Sequence, residues 1–93
     1  MTEDPPYDVV LTPPARRAIT DELPDAVATA VIEFLTVALP AQPRRLGKHL
    51  RDDLAGIWSA RRGTYRVLYR INDDRREVVV LRIDHRRDAY RSN

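Results

Sequence analysis

The chemistry of this chain concentrates in its arginines. They supply 15 of the 16 basic residues, and Lys48 is the single lysine. A guanidinium presents a planar fork of donors that meets phosphate oxygens two at a time and stacks on bases. The charge is uneven: Met1 to Ala60 carries a balance of −3, and Arg61 to Asn93 a balance of +5, beneath an overall +2. In the basic half, Arg61, Arg62, Arg66 and Arg70 flank a hairpin signal, and His85, Arg86, Arg87 and Tyr90 form a tail. Imidazole exchanges protons near neutral pH, phenol stacks or donates, and guanidinium holds phosphate. Such a set suits phosphodiester cleavage, where positioning and charge stabilisation do most of the work. The same arginines would also suit an acidic protein segment, or simply a solvated surface.

Other chemistries fall away. With no cysteine there is no disulfide, thiolate nucleophile or thiolate zinc site. His49 and His85 are too far apart in sequence to suggest a metal pair, so neither metal nor cofactor is expected. Asp52-Asp53 and Asp73-Asp74 adjoin turn residues and read as turn-formers or caps. Gly47, Gly56 and Gly63 are too dispersed for a phosphate-cradling loop. No apolar run approaches the ~20 residues of a bilayer span. Met1 to Pro6 is acidic and proline-rich with no apolar stretch behind it. A cytoplasmic protein without membrane contact is the expectation, with residues 1–6 a disordered leader and residues 7–93 one small domain.

The elements that must position these groups follow from periodicity. Tyr7 to Leu11 alternates as a strand, and Thr12-Pro13 reads as an N-cap followed by a first helical residue. Helices are expected from Pro13 to about Asp21 and from Pro24 to about Leu39, the second stopped by Pro40 and Pro43. Arg44 to Gly56 fits a helical turn or an irregular connector. Period two then takes over: Ile57 to Arg61, a turn at Arg62-Gly63, Thr64 to Ile71, a turn at residues 72–75, and Glu77 to Ile83. The order β-α-α-β-β-β predicts an α+β fold, an antiparallel sheet with a helical hairpin on one face. With that turn, Arg61 faces Thr64 and Ser59 faces Arg66, all on the uncovered face with Arg70 further along. Trp58, Ala60, Tyr65, Val67 and Tyr69 face the helices. An open face lined with guanidinium groups could bind phosphate. Its bland alternative is a solvated face with long side chains lying over it.

Leu46-Gly47-Lys48-His49-Leu50, then Leu54 through Arg61-Arg62-Gly63-Thr64-Tyr65-Arg66-Val67-Leu68-Tyr69-Arg70-Ile71, and the tail His85-Arg86-Arg87-Asp88-Ala89-Tyr90, together resemble the RelE/ParE toxin superfamily, its RelE branch more closely. The resemblance covers Tyr7 to Arg91 and implies a toxin of a type II toxin–antitoxin pair. It further implies a metal-independent endoribonuclease that cuts mRNA in the ribosomal A site, the RNA's own 2′-hydroxyl attacking the adjacent phosphate. By position, Arg66 resembles the arginine that stabilises the phosphorane, Arg86 the tail arginine near the leaving group, and Tyr90 the tyrosine that stacks on the base. Arg61 and Arg62 lie where the family clusters basic residues against RNA, and Lys48, Arg70 and Arg87 are further candidates for RNA contact. Some relatives carry a candidate base, a lysine, on the strand before the hairpin. Here that strand, Ile57-Trp58-Ser59-Ala60-Arg61, has none, so either another group, His85, is the expected proton acceptor or catalysis rests mainly on electrostatics and positioning by the ribosome. The implied partners are a cognate antitoxin, the ribosome with mRNA, and operator DNA only through the antitoxin complex. Two alternatives stay open: a ParE-like inhibitor of DNA gyrase that cuts nothing, and an inactive member acting only in operator regulation.

Overall fold

The structure, a computed structural model, describes residues 5–85. Strand β1 (Asp8–Leu11) leads through Thr12 into helix α1 over residues 13–22. Pro13 and Pro14 fill the first helical positions, where a missing N–H breaks no helical bond. Thr12 does not cap that helix with its side chain. Its hydroxyl instead donates to the carbonyls of Val80 (2.9 Å) and Leu81 (3.0 Å), pinning the helix start to the sheet. Helix α2 spans residues 25–41, α-helical at Asp25–Glu33, widened to a π turn at Phe34–Ala38, and α-helical again at Leu39–Ala41. It therefore continues through Pro40, contrary to the sequence expectation. Pro40 sits in the first turn of the last segment, where the preceding π register tolerates its missing N–H. A short helix α3 (Pro43–Leu46) completes the helical layer.

The sheet has five strands in the order β1-β5-β4-β3-β2, with β2 Lys48–His49, β3 Trp58–Arg62, β4 Tyr65–Asn72 and β5 Glu77–His85. Two features correct the expected sheet. Strand β1 lies parallel to β5, and Lys48–His49, read as a turn or connector, adds a short fifth strand against β3. The fold class is the expected α+β arrangement, with helices over one sheet face. That face buries Ala60, Val67, Tyr69, Val78, Val80 and Ile83 against Ala15, Ala18, Val31, Phe34, Leu35 and Leu39. Residues 1–4 of the expected disordered leader lie outside the described residues, while the Pro5 carbonyl accepts from Arg76 Nε at 2.7 Å.

Tyr69 ties the layers together. It is wholly buried, and its hydroxyl donates to the Pro43 carbonyl at the start of α3. Gly47 lets the chain pass close above it: a Cβ there would lie 2.2 Å from the Tyr69 hydroxyl oxygen. The sequence Pro43-to-Lys48 is thus fixed over β4. Tyr69→Phe would orphan the Pro43 carbonyl and is expected to cost about 1–3 kcal/mol in urea unfolding. Burial also pushes the Tyr69 phenol up from 10.0 to about 12. A raised folded-state value favours the neutral form. The stability it contributes is therefore complete below pH 10.0 and drains away as pH rises toward about 12. Tyr69→Phe should lack that alkaline decline.

Candidate functional site

The hairpin β3–β4 sets the site. Arg62 pairs with Tyr65 and Arg61 with Arg66, so the two-residue turn is Gly63-Thr64 rather than Arg62-Gly63. Gly63 takes φ +56° at the first turn position, which glycine adopts without a Cβ penalty. The shift changes the partners. Arg61 lies directly opposite Arg66, not Thr64, and Ser59 lies opposite Leu68, not Arg66. Directly opposed residues stand about 5 Å apart at Cβ, and like charges there repel. Two exposed guanidiniums held side by side make a natural seat for an anion.

Strand β2 adds to that seat, because Lys48 pairs with Ser59 and so shares its open face. A groove of about 530 Å³ results, lined by Arg45, Lys48, Ser59, Arg61 and Arg66 with Leu46, Gly47 and Leu50. Among the described residues its lining carries four cationic side chains and no carboxylate. None of the four has an ion pair among the described residues. Arg45 was not singled out from the sequence as a site residue. Its signal is its place three residues before Lys48, meaningful only once α3 is known to fold back over β4.

The other candidates go elsewhere. Arg62 projects to the helix-covered side, its guanidinium 5.0 Å from the Phe34 ring centroid, away from Arg61 and Arg66. Arg70 shares the open face but stands four residues along β4, about 13 Å from Arg66, beside a different hollow with Asn72 and Val79. His85 pairs with Tyr65 on the helix-covered face and is only 7% exposed. It cannot reach the groove through the sheet, which corrects its expected role as proton acceptor there. Arg86, Arg87 and Tyr90 lie outside the described residues.

Other titratable groups belong to the scaffold. His49 stacks on Trp58 at 4.8 Å and accepts from the Gly56 N–H through Nε2 at 3.0 Å. Arg44 forms a 2.6 Å ion pair with Asp73, to which Tyr7 also donates at 2.7 Å. The Arg44 hydrogen bond, then that of Tyr7, holds the Asp73 carboxyl below its usual value. Among the described residues no cluster of three His, Cys, Asp or Glu side chains gathers, and no helix is long and apolar enough to cross a membrane.

A family described as "ParE toxin of type II toxin-antitoxin system, parDE" matches residues 9–90. Toxin RelG of Mycobacterium tuberculosis is 54% identical over 86 residues, 92% of this chain and 98% of its own. Toxin RelE of the same organism is 45% identical across 100% of this chain and 95% of its own. The crystal structure of the toxin–antitoxin complex RelBE2 from M. tuberculosis superposes with a TM-score of 0.84 at 53% identity, covering 87% of this chain and 99% of that one. The Pyrococcus horikoshii RelE–RelB complex shares the fold, with a TM-score of 0.60 at 24% identity over 86% of this chain and 94% of that one. The strand order, the Gly-Thr-Tyr-Arg hairpin and these similarities agree, and the chain belongs to the RelE/ParE superfamily of type II toxins, on its RelE branch.

Proposed function

We propose that the chain is a ribosome-dependent endoribonuclease that cuts mRNA in the A site and so arrests translation and growth. One observation carries this reading: a groove that, among the described residues, is lined by four cationic side chains and no carboxylate, with a directly opposed arginine pair on the uncovered sheet face. In the reaction the RNA 2′-oxygen attacks the adjacent phosphorus, and the P–O5′ bond breaks to leave a 2′,3′-cyclic phosphate and a 5′-hydroxyl. Arg66 and Arg61 neutralise the charge gathering on the non-bridging oxygens. Arg45 holds a neighbouring phosphate.

The attacking hydroxyl must lose its proton. Arginine does not exchange protons at ordinary pH, and His85 faces the other side of the sheet. Among the described residues Lys48 is the one amine in the groove, and we assign that proton to its unprotonated form, which becomes the ammonium as the 2′-oxygen attacks; the departing 5′-oxygen takes its own from solvent. Lys48 stands across from Ser59, so the neighbouring strand supplies the amine that the hairpin strand lacks. Arg86 and Tyr90 keep their proposed places near the leaving group and the base.

The partner that silences the groove is a cognate antitoxin, as the toxin–antitoxin complexes among the structural relatives favour. Operator DNA would be met only through that complex, and the site of action is the cytoplasm. Primer extension on mRNA with and without ribosomes tests the reading. Cleavage only with ribosomes is expected. The family description favours a second reading, a ParE-like gyrase inhibitor. Growth arrest with intact mRNA and inhibited supercoiling would establish that one instead.

A further inference from the structure

Arg66 is the direct cross-strand neighbour of Asp84, on the same open face. An opposed arginine and aspartate would ordinarily pair, and a paired Arg66 would have to give up its carboxylate before taking a phosphate. It makes no ion pair among the described residues. The Asp84 carboxylate is instead turned along its own strand, with Oδ1 2.7 Å from Arg82 Nε.

A β-bulge produces this arrangement. Val80 pairs with Tyr69 and Arg82 with Leu68, so Leu81 is an extra residue in β5. Unbroken alternation from Val78 and Val80 would carry Arg82 and Asp84 onto the helix-covered face. The bulge resets the phase, so that Ile83 and His85 turn inward and Arg82 and Asp84 turn outward beside Arg66. The Thr12 hydroxyl, donating to the carbonyls of Val80 and Leu81, fastens the bulge.

We propose that Arg82 is a positioning residue that holds Asp84 away from Arg66 and so keeps the Arg66 guanidinium available for an RNA phosphate. The inference rests on the reading of the open face as an RNA site. The Arg82 and Asp84 side chains are 68% and 44% exposed, so the pair's effect is modest, of the order of an exposed ion pair.

The test is a double-mutant cycle on affinity, read by fluorescence anisotropy with a labelled, uncleavable 2′-deoxy-substituted RNA at low salt. Arg82→Gln should weaken binding by up to about fivefold. Asp84→Asn alone should change little, because Asp84 is already occupied. In the Arg82→Gln background, however, Asp84→Asn should restore binding. In an Arg66→Ala background, Arg82→Gln should lose its effect. Strictly additive effects, or an Arg82→Gln loss that survives removal of Arg66, would mean that Arg82 merely contributes positive field, and would overturn the inference. So would unaltered binding by Arg82→Gln in a chain that cleaves normally on ribosomes. A wild-type chain that neither binds this RNA nor cuts mRNA would remove the RNA reading and this inference together.

Discussion

Arg66→Ala is expected to slow the proposed ribosome-dependent cleavage by about 10²–10³-fold while the chain stays folded. Arg66 is exposed on β4 and has no ion pair to lose among the described residues. Surface changes of that kind usually alter stability by no more than about 0.5 kcal/mol. Stability should rise slightly, because the repulsion with Arg61 disappears. The catalytic cost is of another order. Removing one donor aimed at a developing oxyanion costs about 10²–10³ in rate, and a charged, forked donor belongs at the upper end. Arg66→Lys keeps the charge but loses the fork, so it should recover only part of the activity. Single-turnover cleavage on programmed ribosomes, beside a thermal unfolding curve, separates the two effects. Full cleavage by the folded alanine variant would reduce Arg66 to a surface residue.

Lys48→Arg is the sharper substitution, because it keeps a positive side chain in place while removing an amine that can accept a proton. If Lys48 contributed only positive potential, the arginine variant would cut as the wild type does. As the proton acceptor, its loss should slow cleavage by about 10²–10⁴-fold. Lys48 and Ser59 are directly opposed on the same face, so exchanging them offers a stringent check. The doubly substituted chain, Lys48→Ser with Ser59→Lys, carries the amine across about 5 Å to the adjacent strand. It should recover a substantial part of the rate that Lys48→Ser loses. Wild-type cleavage by Lys48→Arg would take the role away from Lys48.

Much of this was legible in the sequence. Period-two alternation from Tyr65 to Ile71 marked β4 and its buried face, and the prolines at 13 and 24 marked helix starts, whereas Pro43, read as a stop, opens α3. What was not legible came from single-residue phase. A glycine can be the second residue of one two-residue turn or the first of another, and that choice moved Arg61 from Thr64 to Arg66. The same choice sent Arg62 over the Phe34 ring. The bulge at Leu81 is equally silent in a run of β-branched and charged residues, yet it decides which way Arg82, Asp84 and His85 point. Arg45 itself, and the strand that seats the already suspected Lys48, were hidden differently. Their elements are only two and four residues long, too short for any periodicity. What places them is the Tyr69 hydroxyl on the Pro43 carbonyl and the clearance that Gly47 provides.

The open cationic face can be interrogated without waiting for turnover. Titrating the isotopically labelled chain with uncleavable RNA and following amide and arginine side-chain resonances reports which surface is touched. Perturbations should centre on Arg45, Lys48, Ser59, Arg61 and Arg66, and leave Arg62 and Phe34 unmoved. Shifts confined to the helices, or none at RNA concentrations that saturate the toxin, would contradict a phosphate-gripping groove on this sheet.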